Sequence, residues 1–558
     1  MKKTLLNLMK MGKKIRLLVI FVPLLIQLSS FAQGVIKAET GARIVSETGS
    51  YWVLDNGAFS LTSPDAATPV TMANLTIVSD ASLTIPPLNY LTVTGILANN
   101  AGNSGLVVNS DATGDGSLIN GTAAVAATVT RYITGVSQEW HLLSSPVAAQ
   151  AISPDFTADP ATSYDFFAWY EQASVWANFK NTTVTPTWNT VNGSTNFTVG
   201  KGYLVEYLAA TNPTKQFTGN LNAGSVTPAL TKTGAGTYAG YNLTGNPYPS
   251  AIDWKAASGW ERSSLIMNSG GYDMYILNDA AGNYCSYNSA GSSGINGGTQ
   301  YIAVGQGFFV KAASAGTLGM ADGIRLHNTQ PYLKSTNAIT NILRMKVAGN
   351  ANTYSDEIVV EFGHQQTSGG AEKMFSFYET APSLYTVKAD GNYSIDFRGE
   401  PGAVTIPLSF KAGADGSYTL TASQLESFTS STAIALEDLK LNTTQSLMQN
   451  PVYTFSSTKT DDGARFLLHF GGAFSIGENA KGKPIMVYAS GNTVCISNTS
   501  GGAINGDVYV YNTIGQLVMQ QKLGGETQAK ITLNVTTGCY LVKVVTSENT
   551  CSTKVFVK

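Results

Sequence analysis

Short runs in which apolar and polar residues alternate recur along almost the whole chain, and Gly, Asn, Asp and Pro separate them. Alternation with a period of two places every second side chain on one face of a β-strand, and the separating residues are those that turns require. Stretches with the period of an amphipathic helix are scarce, with modest candidates only near residues 423–427 and 433–439. The pattern predicts an all-β protein, and 558 residues are enough for several domains.

Residues 33–130 contain an apolar-Thr-apolar triplet that recurs at equal spacing. Each triplet places two apolar side chains on one face of a short strand and Thr on the other. Evenly spaced short strands favour a β-solenoid-like segment, with an antiparallel meander as the alternative. The clearest triplets are Leu75-Thr76-Ile77, Leu83-Thr84-Ile85 and Leu91-Thr92-Val93, and looser ones follow at Leu106-Val107-Val108 and Ser117-Leu118-Ile119.

Residues 131–332 contain a longer internal repeat, in which four sequence matches keep their order at nearly one offset. They predict two related β units, repeat 1 (residues 131–228) and repeat 2 (residues 229–332). Whether these are separate bodies stays open at this point. The matches are WHLLSSP with YNLTGNP (from Trp140 and Tyr241), YDFFAWY with YDMYILN (from Tyr164 and Tyr272), Trp176 and Phe179 with Tyr284 and Tyr287, and VGKGYLV with VGQGFFV (from Val199 and Val304).

Alternating runs resume after a joint at residues 331–337 and predict an immunoglobulin-like β-sandwich over residues 338–475. A Gly-rich linker at residues 471–483 separates it from a small C-terminal β-sandwich of seven short strands, residues 484–558. The strands expected in the larger sandwich are at residues 342–347, 357–362, 374–378, 383–387, 405–410, 417–422, 451–455 and 465–470.

Composition and charge narrow the class of protein. Only 13% of the residues are Asp, Glu, Lys or Arg, against roughly 25% in a typical soluble domain. A net charge of −2 argues against a nucleic-acid partner, because phosphate binding needs clustered Lys and Arg. The composition is typical of an extracellular β protein.

The first 32 residues are predicted to be a cleaved signal peptide. A Lys-rich leader precedes an apolar run from Leu17 to Leu28, which is shorter than a membrane-spanning helix requires. Small residues before the junction place cleavage between Ala32 and Gln33. The mature chain is therefore expected to be exported.

The tail resembles the type A C-terminal sorting domain of cargo of the Bacteroidetes type IX secretion system. The resemblance rests on VYVYNTIGQLV (residues 508–518), GCYLVKV (residues 538–544) and KVFVK (residues 554–558). It implies passage through the type IX secretion machinery, removal of the domain, and release or attachment to surface lipopolysaccharide. The sorting-motif residues that it implies are Asn512, Gly515, Gly538, Tyr540, Lys543 and Lys554, and Cys539 departs from the usual aliphatic residue.

Candidate catalytic chemistry is sparse. The four histidines form no HExxH motif, and no G-x-S-x-G nucleophile elbow occurs. Asp165 and Asp273 occupy matching places in the repeats, where a structural role is favoured over a glycosidase pair. Loops at residues 111–116 and 461–463 lack the ligand density of a Ca²⁺ loop. No enzyme activity, cofactor or metal is therefore predicted, with Ca²⁺ only weakly supported.

Aromatic residues between Tyr164 and Trp188 give the strongest hint of a ligand. Exposed Trp and Tyr rings stack on sugar faces, but the same rings are equally suited to a core between two β units. The core interpretation is favoured, and the candidate binding residues are Tyr164, Trp169, Tyr170 and Trp176.

The four cysteines, Cys285, Cys495, Cys539 and Cys551, show no disulfide framework or metal spacing and are expected to be buried thiols. Pairing in the last hairpin should place Cys551 opposite residues 544–546. The sequence as a whole predicts a secreted, non-catalytic protein on the exterior of the outer membrane that serves in adhesion or scaffolding. A carbohydrate-binding accessory protein and, less favoured, a glycan hydrolase are the alternatives, and the glycan or protein ligand is not specified.

Overall fold

The structure is a computed structural model that describes residues 35–38, 43–47, 51–63, 65–133, 139–157, 165–181, 183–207, 214–234, 236–328, 340–364, 369–429, 432–471, 485–490, 492–498, 502–512, 514–546 and 550–557. Strands account for 53% of the chain and helices for 4%, which confirms the all-β class. Within the described residues, no helix has the length and apolar character needed to cross a membrane. The predicted signal peptide, the joint at 331–337 and almost all of the linker at 471–483 lie outside these residues.

The chain forms two compact units. Of the described residues, the first unit holds those up to Pro401 together with Pro407–Phe428 and Thr454–Ala464. The second holds Gly402–Ile406, Thr429–Tyr453 and those from Arg465 onward.

The N-terminal region of the first unit is a parallel β-solenoid, as the triplets predict. Its strands are β1 (Val35–Ala38), β2 (Arg43–Glu47), β3 (Tyr51–Asp55), β4 (Gly57–Thr62), β5 (Val70–Met72), β6 (Asn74–Ile77), β7 (Ala81–Ile85), β8 (Tyr90–Val93), β9 (Leu97–Asn99), β10 (Leu106–Val108), β11 (Ser110–Asp111), β12 (Gly114–Asp115), β13 (Ser117–Asn120) and β14 (Ala126–Tyr132), and a 3-10 turn spans Asn103–Gly105.

The equal spacing of the triplets is the number of residues between one face of a coil and the next face of the same coil. Strands β6, β7 and β8 lie in three different sheets, and each pairs in parallel with the strand one coil later, β9, β10 and β13. Leu75 therefore lies beside Leu97, and Leu83 beside Leu106. Leu75, Ile77, Leu83, Ile85, Leu91, Val93, Leu106, Val108 and Leu118 point inward and are buried, because the coils share one interior. Val107 and Ile119 take the outward position that Thr holds in the clearest triplets.

The two repeats have the same order of strands in their sheets. Repeat 1 orders its strands β15-β18-β16-β17, and repeat 2 orders the matching strands β21-β28-β25-β26. The strands of this region are β15 (Trp140–Leu143), β16 (Phe166–Tyr170), β17 (Val175–Asn178), β18 (Tyr203–Glu206), β19 (Thr214–Asn220), β20 (Ala229–Leu230), β21 (Tyr241–Gly245), β22 (Ala251–Asp253), β23 (Trp260–Glu261), β24 (Met267–Asn268), β25 (Gly271–Asn278), β26 (Asn283–Asn288), β27 (Tyr301–Ile302), β28 (Gly307–Lys311), β29 (Gly316–Thr317), β30 (Gly319–Met320) and β31 (Arg325–Leu326).

Repeat 1 is continuous with the solenoid, because β19 pairs antiparallel with the last solenoid strand, β14. Strand β14 runs across the predicted boundary at residue 130. The α-helix α1 (Trp188–Asn192), which the alternation pattern does not reveal, begins at Thr187, whose hydroxyl accepts a hydrogen bond from the Thr190 amide. Short 3-10 turns span Asp279–Ala281 and Asp322–Ile324.

The strands of the next region are β32 (Ile342–Gly349), β33 (Ser355–Glu361), β34 (Gly370–Glu372), β35 (Ser383–Lys388), β36 (Gly391–Phe397), β37 (Val404–Lys411), β38 (Gly416–Ser423), β39 (Ile434–Asp438), β40 (Thr443–Ser446), β41 (Val452–Ser457) and β42 (Phe466–Phe470). In the first unit the order is β37-β35-β36-β33-β32-β38, with β33 and β36 parallel. In the second unit β39 lies between β40 and β42. An immunoglobulin-like sandwich for this region stays a prediction.

Three sequence predictions in this region differ from the structure. Residues 433–439 are not helical, because β39 is hydrogen-bonded to a strand on either side. Residues 374–378 form no strand and instead bury Met374 from a loop. Residues 423–427 form only a 3-10 turn, Leu425–Ser427.

The tail belongs to the second unit and contains seven strands in its described part. They are β43 (Ile485–Ser490), β44 (Thr493–Asn498), β45 (Ile504–Tyr511), β46 (Leu517–Glu526), β47 (Gln528–Thr532), β48 (Gly538–Thr546) and β49 (Thr550–Val557). They form two sheets, β43-β44-β47 and β46-β45-β48-β49, whose apolar side chains share one core.

Candidate functional site

The hairpin of the predicted sorting motif is held by Asn512. Its backbone amide donates to the Gln516 carbonyl at 2.9 Å, and its side-chain Oδ1 accepts from the amides of Ile514 at 3.2 Å and Gln516 at 2.9 Å. Gly515 has a φ of 82°, a left-handed conformation that favours glycine. Both residues therefore shape the turn between β45 and β46.

Tyr540 fixes the start of β48. Its ring lies in the core of the tail, and its hydroxyl donates to the Thr536 carbonyl at 2.7 Å. Gly538 is the first residue of the same strand and pairs with Val557. Tyr540 and Gly538 therefore define where β48 begins. Their role in sorting stays a prediction.

The outer face of the β45-β48-β49 sheet carries the two predicted basic residues among exposed apolar side chains. Lys543 lies between Tyr509 and Ser552 on the neighbouring strands, and Lys554 lies beside Leu541. Large apolar side chains are exposed in the same sheet and its turn, namely Ile514, Leu517, Val518, Leu541 and Phe556. This is the surface that the tail presents to solvent.

Two of the candidate ligand-binding aromatics, Trp169 and Trp176, lie where the two repeats meet. Trp169 Nε1 donates to the Tyr241 carbonyl of repeat 2 at 2.6 Å, and the ring packs edge-on against Phe309 with centroids 5.8 Å apart. Trp176 packs against both Trp169 and Phe309. Tyr170 is half-buried and donates to Gln172, and Tyr164 lies outside the described residues. Trp169 and Trp176 therefore pack between the repeats.

Equivalent residues make reciprocal contacts across this junction. The Ser144 amide donates to Gly305 at 2.8 Å, and the matching amide of Gly245 donates to Gly200 at 2.9 Å. Gly202 also donates to Leu243 at 3.1 Å, and its backbone approaches that strand too closely for a side chain. The repeats thus contact each other through matching backbone positions.

The matching carboxylates of the repeats have different partners. Asp165 is buried and pairs with Lys180 at 2.8 Å. Asp273 accepts from the amide groups of Asn288 at 2.6 Å and Asn268 at 2.5 Å, and burial raises its pKa to about 7. Each carboxylate is thus bound by groups of its own repeat, which supports the structural role favoured for both.

Two hydroxyl–imidazole arrangements escape the sequence analysis, because their members are far apart in the chain. Ser117 Oγ lies 2.8 Å from His327 Nδ1, and Thr92 lies 2.9 Å from the other ring nitrogen. Ser117 is only 3% exposed, and burial lowers the pKa of His327 to about 4. This histidine therefore joins the solenoid to repeat 2 in a neutral state.

The second arrangement lies in the second unit. Thr405 Oγ1 is 3.0 Å from His469 Nδ1, and His469 Nε2 is 2.7 Å from a Glu437 oxygen. The three residues come from neighbouring positions on β37, β42 and β39. They have the order of a nucleophile, a base and an orienting carboxylate. Catalysis would require an oxyanion-binding group as well.

The acidic loops are turns in the structure. Asp111 accepts from the Thr113 amide at 2.7 Å, and Asp115 pairs with Arg131. Asp461 accepts from Ser457 at 2.9 Å. Among the residues that the structure describes, no group of three or more His, Cys, Asp or Glu side chains could hold a metal ion. A Ca²⁺ site therefore stays a prediction without structural support.

The cysteines are thiols, and two of them correct the expectation of burial. Cys285 and Cys495 are buried, whereas Cys539 and Cys551 are half-exposed on the last hairpin. Cys551 pairs with Val544, as predicted, and Cys539 faces Phe556.

Two family models match the chain. "Domain of unknown function (DUF8693)" matches residues 56–470, and "Secretion system C-terminal sorting domain" matches residues 490–558. The second match confirms the resemblance seen in the tail.

One curated relative and one solved structure are similar over large parts of the chain. "Minor fimbrium subunit Mfa5" of Porphyromonas gingivalis is 26% identical over 352 residues, which cover 57% of this chain and 28% of that protein. This chain therefore matches less than a third of its relative. A structure named "Biofilm associated protein - BSP domain" covers 77% of this chain and 92% of its own at 10% identity, with a TM-score of 0.15.

Proposed function

Because the chain belongs to the family "Domain of unknown function (DUF8693)" over residues 56–470 and ends in a secretion system C-terminal sorting domain, we propose that it is a non-catalytic adhesion or scaffolding protein. The sorting domain makes it a cargo of type IX secretion and therefore a secreted, cell-surface protein. Attachment to surface lipopolysaccharide is part of the proposal. The relative named as a minor fimbrium subunit supports a role in surface assembly.

The proposal rests on the hydrogen bonds that connect the solenoid to both repeats. Strand β19 extends the solenoid sheet, and Arg325 of repeat 2 donates to the Leu118 carbonyl at 3.0 Å and the Asn120 carbonyl at 2.6 Å. The rings of Trp169 and Trp176 pack between the repeats in the same way. A body whose buried polar groups and large rings join its modules suits a scaffold that transmits force.

The test is to complement cells that lack this chain with the wild type or with a form lacking residues 484–558. We expect only the wild type to be accessible to added protease on intact cells and to restore attachment or surface assembly. Lys530→Ala, an exposed change in the same tail outside the sorting motif, is the matched control. Surface display without residues 484–558 would overturn the sorting assignment, and normal attachment of cells lacking the chain would overturn the adhesion role.

Carbohydrate binding is a second candidate, favoured by the partial exposure of Tyr170 and Trp176 beside the junction. The mature chain would be applied to a glycan array together with Tyr170→Ala, since Trp169→Ala would also disturb the junction. Binding that Tyr170→Ala abolishes would place the glycan at this face. Binding to no glycan would remove this candidate and leave protein partners.

A further inference from the structure

A Lys–Asp pair in the sheet after the repeats is buried more completely than the other lysine–carboxylate pairs that the described residues show. Lys373 Nζ lies 2.5 Å from Asp356 Oδ2, and the two side chains are 1% and 0% exposed. Removing both charges from water costs several kcal/mol per ion before their attraction is counted. A neutral amide in the same place would carry no such cost.

The surroundings of Asp356 hold its two oxygens differently. Oδ2 accepts hydrogen bonds from the lysine and from the Leu384 amide, the latter at 2.7 Å, whereas Oδ1 accepts from the side-chain amide of Asn296, at 3.2 Å. Val347, which pairs with Asp356 on β32, and Leu384 are fully buried. The amine is therefore held against the carboxyl group in a site that excludes water, an arrangement that gives intramolecular reactions very high effective concentrations.

We propose that Lys373 and Asp356 form an intramolecular isopeptide bond that covalently links strand β33 to the segment after β34. An ammonium proton first moves to Oδ2, which leaves a neutral amine and a neutral carboxylic acid. The amine then attacks Cγ, and the negative charge that develops on Oδ1 is stabilised by Asn296 Nδ2.

The Cγ–Oδ2 bond breaks next, and Oδ2 takes a second proton from the attacking nitrogen and leaves as water. One Cγ–N bond forms, one C–O bond breaks, and nothing is oxidised or reduced. The remaining oxygen, Oδ1, becomes the amide oxygen and keeps its bond to Asn296.

A second buried pair in the same sheet provides a contrast. Lys388 lies 2.7 Å from Asp396, but Arg398 binds the other oxygen of that carboxylate at 2.7 Å. The guanidinium of Arg398 remains charged and holds the second oxygen of the Asp396 carboxylate. The proton transfer that starts the reaction is thereby opposed, so no link is expected at Asp396.

The experiment is mass spectrometry of the purified full chain after complete unfolding and protease digestion. We expect a branched peptide that joins the segments around residues 356 and 373 and is lighter than their sum by one water molecule. Lys373→Met and Asp356→Ala should restore linear peptides, while Lys388→Met should keep the branched one.

Linear wild-type peptides with a free Lys373 side chain would overturn the proposal and leave an ordinary ion pair. Loss of water within the single peptide that contains Asp356 would also overturn it, because that product is a succinimide. The wild-type peptides alone decide between these results, so the conclusion does not depend on whether the variants fold.

Discussion

The two repeats share a sheet order but treat the same carboxylate in opposite ways. In repeat 1 Asp165 is neutralised by the ammonium group of Lys180, whereas in repeat 2 Asp273 is surrounded by the amide groups of Asn268 and Asn288. Amides partly replace water but supply no opposite charge, so burial dominates and the pKa of Asp273 rises. A duplicated fold can therefore keep a side chain while changing its charge state.

The largest expected effect comes from breaking the ion pair of repeat 1. Lys180→Met removes the cation and leaves Asp165 buried, which we expect to lower the free energy of unfolding by about 3 kcal/mol. Urea unfolding at pH 7 measures the change. Asp165→Asn combined with Lys180→Met should recover most of the loss, and a loss for Lys180→Met no larger than that of an exposed Lys530→Met would show that the pair does not stabilise repeat 1.

A smaller effect is expected from exchanging a residue between the repeats. Trp169 matches Leu277 of repeat 2, and Trp169→Leu would remove both the ring packed on Phe309 and the donor to the Tyr241 carbonyl. We expect a loss of about 2 kcal/mol in the free energy of unfolding, since part of the volume is kept. If Trp169 were instead exposed on the surface, Trp169→Leu would leave the free energy of unfolding and the fluorescence of the remaining tryptophans almost unchanged. That result would contradict the prediction.

The smallest change for a single step, about 1.4 kcal/mol for each pH unit, concerns Asp273. Its pKa of about 7 in the folded chain lies above the ordinary value of 3.8, so the folded state binds the extra proton. This contribution to stability is fully present below about pH 4 and is lost as the pH rises through 7. Between these limits the free energy of unfolding falls by about 1.4 kcal/mol per pH unit. Unfolding measured at several pH values should show this slope in the wild type and not in Asp273→Asn, while Asp165→Asn should retain it.

Much of the architecture follows from the sequence, because period-two alternation reports burial on one face. The triplets gave the solenoid, the ordered matches gave the repeats, and Asn512 with Gly515 marked the hairpin. Strand β36 was not predicted, although Tyr393, Ile395 and Phe397 alternate with polar residues in it. The polar residues Ser394 and Asp396 are buried as well, so burial in this strand is not confined to one face.

The candidate site was less predictable, since its contacts join distant parts of the chain. Trp169 meets a carbonyl that lies 72 residues later, and Ser117 meets a histidine that lies 210 residues later. Local patterns cannot distinguish a ring that packs on another repeat from one that faces a ligand. The spacing within a coil likewise could not reveal which strands pair between coils.

The contacts of Arg325 with Leu118 and Asn120 have a consequence for the order of events during folding. Strand β13 is the outer strand of its sheet, and its carbonyl groups find these donors only after some two hundred further residues have arrived. Until then the last coil presents an open edge on which another chain could add a strand. The Arg325 guanidinium thus protects this edge from polymerisation. Chains truncated before residue 325 are therefore expected to aggregate.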